Sequence, residues 1–260
     1  MEILGIDVGG SGIKGAIVNA ATGKLVSERH RIPTPRPAKP GPMADVVHEL
    51  VDHFNWKGVV GCGFPTVVMN GQCKTAGNIN PEWVDVQIDQ LFSKRCNGLP
   101  FHVGNDADVA GLAEMTFGAG KGKKGTVILV TIGTGLGTGY FYNGLLIPNI
   151  ELGRILYEDG KPIEFFAADS ARKREKLTME EWAKRFDFFL NHVVRVFSPA
   201  HFIIGGGISK KLAEFKHQLT VNVPLEVAHF RNNAGIVGAA MFAHQEIKSN
   251  PKSQILNPKS

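Results

Sequence analysis

The stretch that decides the fold is GIDVGGSGIKGAIV, residues 5–18, in which Gly10, Gly12 and Gly15 have the spacing of a dinucleotide-binding loop. In a dinucleotide-binding fold the third glycine lies in a helix that begins at the phosphate. Here Gly15 is followed by the apolar run AIV and then by NAATGK, a turn signal, so a strand is expected in place of a helix. The glycines therefore predict the bend of a β-hairpin and count against a nicotinamide cofactor.

A second stretch, VILVTIGTGLGTGYFYNG at residues 127–144, repeats the order of apolar strand, glycine-rich bend, apolar strand and asparagine. Gly133 stands 124 positions after Gly9, and the same offset aligns a second glycine and the asparagine of the two stretches. We interpret this as an internal repeat of one supersecondary unit, with a chance likeness of two glycine-rich hairpins as the alternative. Two such bends across a cleft would direct backbone N–H groups at one anion.

The two bends and a third glycine cluster provide candidate ligands for a phosphorylated substrate. Backbone amides in tight turns bind phosphoryl oxygens, hydroxyl groups can assist, and a lysine adds a point charge. We predict a phosphate- and donor-binding set consisting of Asp7, Gly9, Gly10, Ser11, Gly12, Lys14, Thr131, Gly133, Thr134, Gly135, Gly205, Gly206 and Gly207. Bends that merely close hairpins are the competing interpretation.

Carboxylates stand at the ends of two predicted strands. Asp7 precedes the first bend, where it could orient a Mg²⁺-bound water beside phosphates or cap the amides of the turn. Asp106 and Asp108 follow a strand, at the position where ligands bind in open α/β sheets. We assign Asp106 to the chemistry, as the base that takes a proton from a substrate hydroxyl, and Asp108 to the cap of the following helix.

Two polar patches, TAGNIN at 75–80 and NIELGR at 149–154, adjoin apolar runs. Their side chains Asn78, Glu151 and Arg154 could bind several hydroxyls, as a sugar would require. Each of them taken alone is as readily explained as a turn residue.

Composition describes an ordinary globular protein with a basic surface. The 260 residues are 43% apolar and 20% charged, and the net charge of +5 favours anionic partners. The basic segments KGKK (121–124), ARKREK (171–176) and SKK (209–211) form either a solvated face or a track for a long anion. The three cysteines have no metal-binding spacing, so we expect reduced thiols in the cytoplasm; neither a signal peptide nor a membrane span is predicted.

Strands and helices alternate along the chain, which predicts an α/β fold of two related domains around a cleft. The longest helix is predicted after Thr178, which forms a capping box with Glu181, and it ends before Pro199. We place the domains at residues 1–115 and 116–245, with the last helix able to pack back on the first domain. Residues 246–260 are predicted to be a disordered tail.

Several longer segments follow in a fixed order from residue 4 to about residue 243: GIDVGGSGIKG, GFPTVV, KTAGNIN, NDADVAGLAE, TIGTGLGTG, PNIELG, ARKRE, EEWAKR and FSPAHFIIGGGISKK. In these segments the sequence resembles the ROK family of sugar kinases, and within that family the polyphosphate glucokinases. The resemblance implies the two-domain actin-like (ribonuclease H-like) fold. It also implies a cytoplasmic homodimer.

The resemblance further implies an activity and a set of residues. A terminal phosphoryl group of polyphosphate, or of ATP, would pass to the 6-hydroxyl of glucose with Mg²⁺ as cofactor. Asp106 corresponds to the catalytic base of such kinases, and Asn78, Asn105 and Glu151 correspond to residues that hold the sugar. The glycine bends would bind the donor.

The sequence departs from the family pattern in three places. Arg154 stands where the family has a histidine, which leaves open a kinase for a different hexose or a sugar-binding sensor with weak catalysis. No cysteine follows Cys96, so no zinc is expected. No helix-turn-helix precedes Gly5, so no DNA binding is expected.

Overall fold

The computed structural model of the protein describes residues 1–77 and 79–249, which form two compact units. The first unit contains Met1–Ala113 and the segment that begins at Asn233; the second is Glu114–Asn232. The chain thus leaves the first unit once and returns to it. The last helix, which we placed in the second predicted domain but expected to be able to pack back on the first, belongs to the first unit. It continues to Ser249, so the prediction of a disordered tail is wrong for residues 246–249, and the rest of that predicted tail lies outside the described residues.

The strands of the described residues are β1 (Glu2–Gly9), β2 (Gly12–Asn19), β3 (Lys24–Leu25), β4 (His30–Ile32), β5 (Val60–Phe64), β6 (Val68–Met69), β7 (Gln72–Cys73), β8 (Phe101–Asn105), β9 (Thr126–Ile132), β10 (Leu136–Tyr142), β11 (Leu145–Ile147), β12 (His201–Gly206) and β13 (Leu225–Val227). The α-helices are α1 (Pro40–His53), α2 (Ile88–Arg95), α3 (Asp106–Phe117), α4 (Glu164–Ala167), α5 (Asp169–Arg174), α6 (Met179–Phe197), α7 (Leu212–Phe215) and α8 (Ala234–Ser249). Over residues 1–77 and 79–249, none of these helices combines the length and apolar character needed to cross a bilayer.

The sheet of the first unit has the order β3-β2-β1-β5-β8, and β4 also pairs with β2. Strands β1 and β2 are antiparallel with Gly9 opposite Gly12, so the bend consists of Gly10 and Ser11. This confirms the predicted hairpin, and it places Gly15 in a strand, where a dinucleotide-binding fold would have a helix. Strands β1, β5 and β8 are parallel, and their carboxyl ends therefore lie at one edge.

The sheet of the second unit has the order β11-β10-β9-β12-β13. Its first hairpin is antiparallel, with Ile132 opposite Leu136, and residues 133–135 form the bend. Strands β12 and β13 then pair in parallel on the other side of β9, as β5 and β8 do beside β1. The shared order of hairpin and parallel strands confirms that the two glycine-rich stretches belong to a repeated unit.

Helix α8 packs on the first sheet with its backbone close to the backbone of the strands. A Cβ at Gly5 would lie 2.1 Å from the carbonyl oxygen of Ile236, and one at Gly61 would lie 1.9 Å from that of Ala239. A Cβ at Gly238 would lie 1.6 Å from the carbonyl oxygen of Val109 in α3. Only glycine permits these approaches. The distances between α8 and its neighbours β1, β5 and α3 therefore depend on glycine at these three positions.

Helix α6 covers the second sheet with an apolar stripe. Its buried side chains Trp182, Phe186, Phe189 and Leu190 recur at helical spacing, and each contributes about 1.5–3 kcal/mol by leaving water. The helix begins with the predicted capping box, in which Thr178 accepts the N–H of Glu181. The predicted long helix is therefore confirmed.

The three cysteines are buried and free. Burial raises the pKa of the Cys62 thiol and raises that of Cys96 to about 12. Burial likewise raises the pKa of Cys73. All three therefore remain protonated at neutral pH and act as small apolar core residues.

We expect Gly61→Ala to lower the free energy of unfolding by at least about 3 kcal/mol, because the new methyl group cannot be accommodated against a carbonyl oxygen of α8. Gly41→Ala is the matched control, since a Cβ there meets nothing within 4 Å, and we expect a change within about 1 kcal/mol. Urea unfolding followed by circular dichroism measures both. Equal stability of the two variants would show that α8 does not pack as described.

Candidate active site

The edge of the first sheet brings the first bend and Asp106 together. Asp7, Gly63 and Gly104 lie in one row across β1, β5 and β8, as the pairing of these parallel strands shows. Neighbouring strands are about 4.8 Å apart, so this row spans about 10 Å. The chain continues from one end of the row into the bend and from the other end into Asp106. Ligands bind at this edge of an open α/β sheet.

Asn105 caps helix α3. Its Oδ1 accepts hydrogen bonds from the N–H groups of Ala107 (2.9 Å) and Asp108 (3.0 Å), and its Nδ2 donates to the carbonyl oxygen of Thr66 (3.0 Å). The prediction that Asp108 caps this helix is therefore wrong: the residue before the helix supplies the oxygen, as N-cap geometry requires. Asp108 lies inside the helix and is buried.

Asp106 is the first residue of α3 and is partly exposed between the buried residues Asn105 and Ala107. Its Oδ1 accepts the N–H of Ala107 at 2.7 Å. The N-terminus of a helix is a favourable place for a carboxylate, because the helix dipole is positive there. Gly63 lies directly beside it, since a Cβ there would be 3.5 Å from the Cα of Asp106. Of the two carboxylates in GNDAD, Asp106 is the one that a substrate can reach.

Asp7 and Lys14 form an ion pair across the first hairpin. The Lys14 ammonium lies 2.8 Å from Asp7 Oδ2, and both side chains are largely buried. The carboxylate also lies against the first turn of α8, where a Cβ at Gly235 would be 2.6 Å from its Cγ. Lys14 was predicted to bind phosphate; the structure shows that its charge is already partly neutralised by Asp7.

Two side chains from outside the first hairpin hold the carbonyl oxygens of its bend. The Thr34 hydroxyl donates to the oxygen of Gly9 at 2.5 Å, and the Arg31 guanidinium donates to that of Ser11. A Cβ at Gly12 would lie 2.4 Å from the Arg31 Nε, so glycine at this position gives the guanidinium room. Neither side chain was predicted from the sequence, because neither belongs to a motif and both come close to the bend only when the chain is folded.

The second bend is held in a similar way. Ser170 donates its N–H to the oxygen of Gly133 (3.2 Å) and its hydroxyl to that of Thr134 (2.6 Å). Glu164 Oε2 accepts the N–H of Leu136 at 3.1 Å, just after the bend. Helices α4 and α5 thus fix this bend, which sequence reasoning did not foresee.

The third glycine cluster lies beside the end of β9. Gly205 is paired with Thr131, and Gly206 is paired with Ile132. Gly206 has φ of 79°, and a Cβ there would lie 2.3 Å from the carbonyl oxygen of Ile132. Backbone geometry therefore requires glycine at position 206, while Gly207 begins a short 3-10 turn and a Cβ there would meet nothing within 4 Å.

Glu151 is carried on a segment that is bonded to β10. Thr138 donates its hydroxyl to the carbonyl oxygen of Ile150 and accepts the N–H of Leu152 at 3.0 Å. A Cβ at Gly153 would lie 2.2 Å from the carbonyl oxygen of Leu136, where β10 begins. Glu151 is therefore placed next to the second bend, and Arg154 at the end of the segment is exposed.

The predicted residues fall into two groups. The first unit holds the first bend, Asp7, Asn105 and Asp106, and the second holds the second bend, the glycine cluster, Glu151 and Arg154. Asn78, predicted to bind the sugar, lies outside the described residues.

The basic segment at 171–176 overlaps α5, whose cations are paired with carboxylates. Arg172 Nε and Lys173 Nζ each lie 2.7 Å from an oxygen of Asp169, and Arg174 pairs with Glu175. Burial would by itself raise the pKa of Asp169, but the hydrogen bonds from Lys173 and Arg172 outweigh it and leave the pKa below its usual value. Lys173 nevertheless remains exposed, so the segment keeps a positive charge beside Ser170.

In residues 1–77 and 79–249, no three histidine, cysteine or acidic side chains are grouped in a way that would hold a metal ion.

The repeated α/β unit, with a glycine-rich hairpin bend at the carboxyl edge of each sheet, defines the actin-like class of kinases. Residues 3–149 match the model of the ROK family, and the chain belongs to that family. The polyphosphate glucokinase of Mycobacterium tuberculosis (strain ATCC 25618 / H37Rv) is 42% identical over 237 residues, which cover 91% of this chain and 89% of that protein.

Solved structures share the fold over nearly the whole chain. The inorganic polyphosphate/ATP-glucomannokinase from Arthrobacter sp. strain KM is 41% identical, with a TM-score of 0.90 over 94% of this chain and 99% of that one. A ROK family glucokinase from Streptomyces griseus, solved with glucose and AMPPNP, is 24% identical. Its TM-score is 0.80 over 94% of this chain and 100% of that one. At this identity the likeness is evidence for a shared fold only. Membership of a kinase family rules out the nicotinamide alternative.

We expect Asn105→Ala to lower the free energy of unfolding by about 2–3 kcal/mol, because it leaves the buried N–H of Asp108 and the carbonyl oxygen of Thr66 without their partner, while the N–H of Ala107 keeps only its bond to Asp106. Asn80→Ala removes an exposed cap from the short turn Pro81–Trp83 and should cost about 1 kcal/mol or less. Chemical denaturation of both variants provides the comparison. A loss at Asn105 no larger than at Asn80 would contradict the capping role.

Proposed function

We propose that the protein transfers the terminal phosphoryl group of inorganic polyphosphate to the 6-hydroxyl of glucose. The observation that carries this proposal is the 42% identity to a polyphosphate glucokinase over 91% of the chain. The partly exposed carboxylate of Asp106 at the edge of the first sheet supports it, because phosphoryl transfer to an alcohol needs a proton acceptor.

In the proposed reaction Asp106 accepts the proton of the glucose 6-hydroxyl. The hydroxyl oxygen bonds to the terminal phosphorus, the bond from that phosphorus to the bridging oxygen breaks, and polyphosphate shortened by one unit leaves. Asn105 holds Asp106 in place through its cap on α3. General-base assistance of this kind contributes about 10²–10⁴-fold, and positioning of the two substrates supplies much of the remainder.

The amides of each bend bind phosphoryl oxygens of the donor. Hydrogen bonds to an anion are stronger than bonds between neutral groups, and those of a preorganised turn cost little to form. The same amides can bind the phosphates of ATP, so we propose that ATP is a second donor. The printed name of the Arthrobacter structure includes both donors for that protein.

Mg²⁺ fits this site as an ion held mainly by the donor. It would neutralise charge on the phosphates, and it prefers one or two carboxylates together with phosphate and water oxygens. Asp7 is the carboxylate beside the first bend, and its ion pair with Lys14 favours contact with the ion through water.

A second candidate substrate is mannose. Arg154 replaces the family's histidine and is exposed at the end of the segment that carries Glu151. An arginine donates several hydrogen bonds in a fixed plane and is permanently charged, so it can bind sugar hydroxyls that an imidazole would not reach. The Arthrobacter protein is named a glucomannokinase. Initial rates with glucose and mannose at equal concentrations decide between the two sugars.

The cellular setting follows the family. We propose a homodimer, to be tested by sedimentation, and a cytoplasmic location, which the three reduced thiols support.

We expect Asp106→Asn to lower kcat with polyphosphate by about 10²–10⁴-fold, because the amide cannot accept the proton. Asp45→Asn, which removes an exposed carboxylate paired with Arg95 in the same unit, should leave kcat unchanged. The assay measures glucose 6-phosphate. Undiminished turnover of the Asp106 variant would remove this residue from its role, and glucose binding without turnover in the unmodified protein would indicate a sensor.

We expect Lys173→Gln to raise the KM for long polyphosphate about threefold at low salt and to make that KM less dependent on salt. Lys184→Gln is the control, because both lysines are exposed and both pair with an acid four residues earlier. Measuring the KM at several salt concentrations tests this. An identical response of the two variants would show that α5 is only a solvated face.

A further inference from the structure

The two glycine bends share a feature that no sequence motif describes: donors from outside each hairpin hold the carbonyl oxygens of the bend. In the first bend the Thr34 hydroxyl bonds to the oxygen of Gly9 at 2.5 Å. In the second, the N–H of Ser170 bonds to the oxygen of Gly133 at 3.2 Å, and the Ser170 hydroxyl bonds to the oxygen of Thr134 at 2.6 Å. Thr34 follows β4, and Ser170 lies in α5, so both reach the bends through the fold.

Holding a carbonyl oxygen fixes the N–H of the next residue. A trans peptide is planar, and its C=O and N–H point in opposite directions. The bond to Gly133 therefore sets the direction of the Thr134 N–H, and the bond to Thr134 sets that of Gly135. In the same way, the bond to Gly9 sets the direction of the Gly10 N–H. Each hydroxyl therefore lies on one side of its bend, and the N–H group that it orients, that of Gly10 or of Gly135, points to the other side.

These amides are available to a ligand. Within the part of the chain that the structure describes, no acceptor bonds to the N–H of Gly10, Thr134 or Gly135. A Cβ at Gly10 or Gly133 would meet nothing within 4 Å, so the bends have open space around them. An anion approaching either bend finds N–H groups that are already oriented.

We propose that Ser170 and Thr34 are positioning residues for the phosphoryl donor: their hydroxyls orient the bend amides that bind its phosphates. This inference rests on the proposed function and names residues outside both glycine motifs. Without the hydroxyl the peptide plane can rotate, and each amide must be reoriented when the donor binds. The donor therefore binds more weakly, whereas glucose binding does not depend on these hydroxyls.

The test compares Ser170→Ala and Thr34→Val with Ser249→Ala. Ser249 is the control because its hydroxyl also donates to a backbone carbonyl, that of Glu246, at an exposed helix end. We expect each of the first two variants to raise the KM for polyphosphate about 3- to 10-fold, the range for loss of one neutral hydrogen bond, since the N–H of Ser170 keeps its bond to Gly133. The KM for glucose should stay within about twofold and the melting temperature should change little, because the Ser170 bond is exposed and the Thr34 bond is only part-buried. Thr34→Ser keeps the hydroxyl and should restore the KM for polyphosphate.

Two outcomes would overturn the inference: equal increases of both KM values, or no change in the KM for polyphosphate. Calorimetric titration with tripolyphosphate separates this inference from the proposed activity. If the unmodified protein forms no glucose 6-phosphate, the proposed function fails. Weaker tripolyphosphate binding by Ser170→Ala than by Ser249→Ala would still support the positioning role.

Discussion

The close backbone packing of α8 on the first sheet is the constraint on which the candidate site depends. Gly5 and Gly61 let the helix approach β1 and β5, and Gly238 lets it approach α3. This approach brings the first turn of α8 against Asp7 and fixes the sheet edge from which Asp106 projects. Because interiors are close-packed, a shift of one of these layers would move the others.

Two kinds of restraint then place the reacting groups. The buried side chains of Asn105 and Thr138 each form hydrogen bonds to backbone groups of at least two other residues. These bonds fix the segments that carry Asp106 and Glu151. Thr34 and Ser170 are peripheral hydroxyls that fix only the orientation of peptide groups. The first kind holds positions through the core, and the second sets the direction of hydrogen bonds at the two bends.

The sequence predicted the features that depend on local pattern. Both hairpins, the repeat and the capping box of α6 follow from glycine spacing, alternation and the pair Thr178 and Glu181. With Asp106 assigned to the chemistry, the cap of α3 fell to Asp108, but the geometry gives it to Asn105, the residue just before the helix. Thr34, Ser170 and Gly235 could not be found from spacing, because their roles arise from contacts between distant segments. The ion pairs of α5 could not be predicted either, since a run of basic residues does not show that Asp169 pairs with both Arg172 and Lys173.

The return of the chain into the first unit has a consequence for synthesis. On the ribosome, residues 114–232 emerge completely before α8 exists, so the second unit can reach its final core while the first still lacks the helix that covers Gly5 and Gly61. Domains generally form in the order in which they leave the ribosome, but here the earliest residues are among the last to be buried. A nascent chain halted before Ala234 would carry one finished unit and a first sheet that lacks α8, and the apolar face left uncovered would be a target for chaperones.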